Sequence, residues 1–117
     1  MQNYKDLKVW QKSHWFTLKV YECTKEFPKE EIYSLTNQIR RSASSIPANI
    51  AEGCGKNSNL ELAHFLNIAL GSANESKYFL ILSKDLLYLK EENYIVLYNL
   101  INEIKSMLIV LISKVRK

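Results

Sequence analysis

Two adjacent arginines, Arg40 and Arg41, and the lysines Lys5, Lys8, Lys12 and Lys19 are the side chains here best suited to binding something. An ammonium binds phosphate as a point charge, whereas a guanidinium forks onto phosphate or carboxylate through paired hydrogen bonds. At ~100° per residue, Lys8, Lys12 and Lys19 fall within a narrow arc of one helix face, with Trp15 beside them as a surface for base stacking. The same row also fits a solvated helix face, and Glu22 and Glu26 dilute it toward its end. Arg40 and Arg41 point about 100° apart, so they serve different ends. One is expected to reach a phosphate or a partner. The other is expected to pair with a carboxylate inside the fold, with Glu52 and Glu75 as candidates.

Catalysis finds less support. The serines at 42, 44 and 45 have no convincing base: His14 and His64 belong to other segments, and no Gly-x-Ser-x-Gly elbow occurs. Glu61-Leu-Ala-His64 has the Glu-x-x-His spacing of carboxylate-bridged di-iron bundles, but those sites need a second such motif, which the chain lacks. His64 is therefore expected at the surface or in an interface. Gly53-Cys-Gly-Lys56 lacks the strand and spacing of a P-loop and reads as a helix-ending turn. The chemistry is that of a non-enzyme, with no cofactor and no metal site. Cys23 and Cys54 stand far apart, which suits reduced thiols and a cytoplasmic location.

These side chains must be carried by helices. The chain has 117 residues but only three glycines and two prolines, too few for turn-rich β-structure. Residues 1–117 read as one domain. A first helix is expected from about Asp6 to Glu26, with Val9, Ser13, Phe16, Val20, Cys23 and Phe27 on its buried face. A second starts near 29–32 and carries Ile32, Leu35, Ile39, Ala43, Ile46 and Ile50 to about Gly53. A kink or break is expected just before Pro47, which cannot donate to the carbonyl of Ala43, with nearby serine hydroxyls as candidate replacements. Ser58 and Glu61 have the capping-box spacing and open a third helix, expected to reach about Leu89. The fourth begins near 91–93 and carries Tyr94, Leu97, Ile101, Ile104, Leu108, Leu111 and Val115. Short connections between long helices predict an all-α, antiparallel up-and-down four-helix bundle.

The charge of +4 permits attraction to nucleic acid without establishing it. The greasy C-terminal stretch is interrupted by polar residues and reads as a buried helix, with no membrane span. Leu7, Trp15 and Leu18 fall off the buried face of the first helix, and Ile95, Val96 and Leu100 exceed what one stripe of the fourth needs. Two helices with a second apolar surface predict a subunit interface.

Leu7-Lys-Val-Trp-Gln-Lys12, Phe27-Pro28 with Glu31 and Tyr33-Ser-Leu35, the stretch Gln38 to Gly53, Phe65 to Ser72 with Glu75, and Leu86-Tyr88-Leu89 together resemble one family. It comprises the four-helix bundle proteins encoded in intervening sequences of bacterial 23S ribosomal RNA genes. The resemblance covers nearly the whole chain and implies a homo-oligomer, with a ring-shaped pentamer as the expected assembly. A more distant likeness, to accessory proteins of diversity-generating retroelements, implies association with a reverse transcriptase and nucleic acid. Two functions follow: an RNA- or nucleic-acid-binding oligomer using Lys5, Lys8, Lys12, Lys19 and Arg40 or Arg41, or a protein-interaction scaffold docking through its first helix.

Overall fold

The computed structural model describes residues 3–116. A 3-10 turn, Tyr4–Asp6, leads into α1 (Lys8–Thr24), and a second, Lys29–Glu31, precedes α2 (Leu35–Cys54). Then come α3 (Asn59–Asp85) and α4 (Glu91–Arg116). The four helices form the antiparallel up-and-down bundle, 44 Å long. Neighbours in sequence are neighbours in space, and α4 closes back on α1. That leaves α1 diagonal to α3 and α2 diagonal to α4.

The core follows the helical spacing of apolar residues. Val9, Phe16, Val20, Cys23 and Phe27 meet Leu35, Ile39, Ile46 and Ile50 of α2. Leu62, Leu66 and Leu80 of α3 and Leu97, Ile101, Ile104 and Leu108 of α4 complete it. The α2–α3 seam is the closest of the four, since Ala43, Ala69 and Ala73 are fully buried there and two serine pairs cross it. Ser76 donates to Ser42 at 2.9 Å, and Ser45 and Ser72 share a hydrogen bond of 2.9 Å.

Several boundaries differ from the sequence-based expectation. The first helix begins at Lys8 because the chain first makes a 3-10 turn, whose Lys5 N–H donates to Asn3 Oδ1 at 3.1 Å. The second helix starts at Leu35, not at 29–32. Ser34 has φ −123° and ψ −110°, so the backbone turns there, and Ile32 stays outside the core, 53% exposed. Glu31 fixes this corner. Its Oε1 accepts from the Leu35 N–H at 3.3 Å, and its Oε2 accepts from the Tyr88 hydroxyl at 3.0 Å. That hydrogen bond to the carboxylate is the main cause raising the Tyr88 phenol above its ordinary range.

No break occurs at Pro47. The helix runs continuously from Leu35 to Cys54 with Pro47 buried in it. The freed Ala43 carbonyl finds its donor on another helix, Thr17 of α1, whose Oγ1 lies 3.1 Å away. The nearby serines that were candidates for this role are otherwise engaged: Ser42 donates to the Ile39 carbonyl and Ser44 to that of Arg41. The capping box does form, since Ser58 Oγ accepts from the Glu61 N–H at 3.1 Å.

The third helix ends at Asp85, short of Leu89, and leaves Leu86 44% exposed. Tyr88 N–H donates to the Ser83 carbonyl and Leu87 N–H to that of Lys84, the Schellman pattern. Its left-handed position is Leu87, at φ 65°. A branched-chain residue there is strained by about 1 kcal/mol, and at 89% exposure its side chain gains little from packing. Leu87→Gly is therefore expected to stabilise the fold by about 0.5 kcal/mol, the strain relief less the unfolded-state entropy that glycine adds. A urea midpoint that falls in this variant would contradict the strain argument.

Candidate functional site

The structure divides the candidate cations among three places. Arg40 turns inward against α1. Its Nε donates to Thr24 Oγ1 at 2.8 Å, a terminal nitrogen reaches the Tyr21 carbonyl at 3.4 Å, and the guanidinium lies 4.7 Å from the centre of the Tyr21 ring. The expected internal carboxylate partner is replaced by a hydroxyl and a carbonyl at the C-terminal end of α1, where the helix dipole favours a cation. Glu52 instead pairs with Lys56 at 3.4 Å. Arg40 thus ties α2 to α1.

The lysine row lies along α1 where that helix meets α4. Lys12 Nζ bridges to Glu103 at 3.2 Å, and Lys19 pairs with Glu22 at 3.4 Å. Lys8 lines an apolar groove of about 370 Å³ with Leu7, Val9, Met107, Val110 and Leu111, and Lys114 of α4 lines it too. Lys114 was not among the binding residues read from the sequence. Its place beside Lys8 follows from the antiparallel run of the two chain ends. Lys5 and Arg116 sit at the same end of the bundle. Among the described residues, Lys5, Lys8, Lys114 and Arg116 form no ion pair with a carboxylate. Glu22, Glu26, Glu30, Glu31, Asp85, Glu91 and Glu92 gather at the opposite end. Lys25, Lys29, Lys84 and Lys90 share that end, and Asp6, Glu52 and Glu61 lie at the other, so the two ends differ in balance and neither is of one sign.

The predicted interface residues also fall mainly on this seam, which is the loosest of the four. Trp15 (48% exposed) and Leu100 line one surface hollow with Lys8 and Lys12. Leu18 and Val96 are exposed further along. Leu7 and Leu100 are only partly exposed, because both also pack on the core. Ile95 is exposed but points about 100° away from Val96, onto the outer side of α4. By length and composition α4 could cross a bilayer, a property the polar interruptions did not remove. In the bundle, its stripe of Leu97, Ile101, Ile104, Leu108 and Ile112 is core.

Arg41 is separate from all of these. It lines a polar groove of about 510 Å³ between α2 and α3, with Glu75 on the α3 side and Asn37 and Gln38 on the α2 side. Ser42, Ser45 and Ser72 form the floor, and Tyr33 stands at the rim. Only Arg41 of this set was singled out as a binding residue from sequence. Glu75, one of the two candidate internal ion-pair partners, is instead exposed, and the described residues leave it unpaired.

The remaining reactive groups are ordinary. Burial pushes the Cys23 and Cys54 thiols up, so both stay protonated; at Cys23, Lys19 opposes this while Glu22 and Glu26 add to it. His64 is exposed and meets the edge of Phe65.

Fold and site together define an all-helical bundle with one basic, partly apolar seam and one polar groove on the opposite face. The chain belongs to the 23S rRNA-intervening sequence protein family, whose model matches residues 5–110. It is similar to a crystal structure of a protein of unknown function from the S23 ribosomal protein family of Bacteroides thetaiotaomicron. The two share 35% identity over 90% of this chain and 95% of that one, with a TM-score of 0.82. A comparison with curated proteins finds no match.

Proposed function

We propose that this protein is a non-enzymatic, self-associating bundle that binds RNA through the basic end of its α1–α4 seam. The observation that carries the reading is the convergence of Lys8 and Lys114 on one groove, with Lys5 and Arg116 at the same end and none of the four paired among the described residues. Each unpaired cation releases a condensed counterion when it meets a phosphate, and that release is the main source of sequence-independent affinity. Lys12 and Lys19 contribute less, because each already faces a carboxylate. The family's tie to 23S rRNA intervening sequences makes RNA the first nucleic acid to test. Self-association uses the apolar stretch of the same seam around Trp15, Leu18, Val96 and Leu100. A ring such as a pentamer would set the basic ends side by side.

Titration of a labelled single-stranded RNA at several salt concentrations tests this reading. The wild type is expected to bind with a steep salt dependence. Lys8→Ala with Lys114→Ala should weaken binding and flatten the log–log slope by about 1.4 per subunit engaged. Absence of binding at low salt rejects the RNA reading, and a monomer mass by light scattering at micromolar concentration rejects the assembly. The second reading, a docking scaffold for a protein such as a reverse transcriptase, is favoured by the apolar floor of the Lys8–Lys114 groove. It predicts association that survives high salt.

A further inference from the structure

On the face opposite the basic seam, the α2–α3 groove holds two side chains of opposite charge that the fold leaves unused. Arg41 rises from α2 and Glu75 from α3. Among the described residues, neither pairs with the other or with any other charged group. The space between them, about 510 Å³, lies in the usual range of small-ligand sites.

The floor of this groove is largely engaged within the bundle. Ser42 donates to the Ile39 carbonyl and accepts from Ser76. Ser45 and Ser72 share one hydrogen bond, in which either hydroxyl can donate, and Asn49 donates to Ser45 Oγ. Recognition therefore falls to the walls. A guanidinium presents parallel donors and so matches two adjacent acceptors, while a carboxylate matches two adjacent donors. Guanine alone among the RNA bases carries both: O6 and N7 toward an arginine, and N1–H with the 2-amino group toward a carboxylate. Adenine, cytosine and uracil each lack at least one of the two edges. Tyr33, 92% exposed at the rim, offers a ring face on which such a base can stack.

We infer that the α2–α3 groove binds a single unpaired guanine base, with Arg41 on its O6/N7 edge and Glu75 on its N1/2-amino edge. The base can come from a free nucleotide or from single-stranded RNA. The site shares no residue with the basic seam, so each can fail without the other.

Calorimetric titration with GMP, AMP and inosine monophosphate tests the assignment. GMP is expected to bind at least ~10-fold more tightly than AMP, the usual discrimination of one bidentate base contact. Inosine lacks the 2-amino group and should bind more weakly than GMP. Glu75→Gln should erase that GMP–inosine difference, and Arg41→Gln should weaken both. Circular dichroism monitors folding of the two variants, and Lys8→Ala with Lys114→Ala should leave GMP binding unchanged. Equal affinity for GMP and AMP, no GMP binding at millimolar concentration, or a Glu75→Gln protein that still distinguishes GMP from inosine would each overturn the assignment. A short RNA with one unpaired guanine, compared with the same RNA carrying adenine, separates the sources. Guanine-dependent RNA binding places the site on RNA, and GMP binding without it makes the ligand a free nucleotide.

Discussion

Gly53→Leu is expected to destabilise the protein by about 3 kcal/mol, near the upper end of what overpacking usually costs. A Cβ at Gly53 would lie 3.0 Å from Leu62 Cδ1, 3.0 Å from Phe65 Cβ and 3.3 Å from the Leu62 carbonyl oxygen. The last of these is backbone, so the first turn of α3 would have to move away from the end of α2. Gly53→Ala is a smaller case, because a gain of about 1 kcal/mol in helix propensity opposes the clash. Gly71→Ala supplies the control: it sits in α3 with nothing within 4 Å of its added Cβ, so only the propensity term acts and it should stabilise by about 0.5–1 kcal/mol. Urea titration of the three variants should rank them Gly71→Ala, Gly53→Ala, Gly53→Leu, from most to least stable. A Gly53→Leu midpoint equal to wild type would show that the α2–α3 approach is not tight at this point.

Thr17→Val is expected to cost about 2 kcal/mol through one orphaned carbonyl. The replacement keeps the shape of the side chain, so the loss comes from the Ala43 oxygen, which Pro47 cannot reach and which loses the hydroxyl 3.1 Å away. An unsatisfied buried acceptor costs about 1–3 kcal/mol. The single Thr17 hydroxyl proton is shared with the Ser13 carbonyl, 2.8 Å away, but that oxygen belongs to a regular helix and keeps its own backbone donor, Thr17 N–H. The cause can be isolated with Pro47→Ala, which returns an amide N–H to the Ala43 oxygen from within α2. In that background Thr17→Val should cost about 1 kcal/mol less, a coupling well within reach of a double-mutant cycle. Equal costs in the two backgrounds would rule out the proline as the reason for the contact.

The two cases differ in how much could be read in advance. The small residues around Ser42 to Ser45 allow a close helix approach, and the α2–α3 seam has it. Pro47 predicted a freed carbonyl at Ala43, and that carbonyl is indeed freed. Its donor was sought among local serines, whereas it comes from Thr17, 26 residues earlier in sequence. Local hydroxyls on a helix reach the carbonyls three or four residues back, and these serines either use those or cross to α3. Arg40 shows the same limit. Its direction relative to Arg41 follows from helix geometry, but its choice of Thr24 and the Tyr21 carbonyl over Glu75 depends on which helix packs against that face.

The turns mark a different boundary of legibility. Ser58 and Glu61 lie three residues apart, so the cap forms from local geometry and was visible as a motif. The end of α3 was not, because the left-handed residue is Leu87 where glycine is the usual signal. The start of α2 was missed for a related reason. Ile32 continues the apolar spacing, yet the turn held by Glu31 and Tyr88 takes it out of the helix, and Tyr88 arrives there from 57 residues away.

Helical periodicity, the shortage of turn residues and the order of motifs were enough for the four helices, their antiparallel arrangement and the family, because each rests on contacts or spacings within a few turns. The binding surfaces needed the assembled bundle. Lys8 and Lys114 come from opposite ends of the chain and meet only because α1 and α4 run antiparallel, and Arg41 faces Glu75 only across the seam between α2 and α3. A helical pattern states which side of each helix is buried; the packing of that side against a particular neighbour decides which charges are spent and which are left to bind.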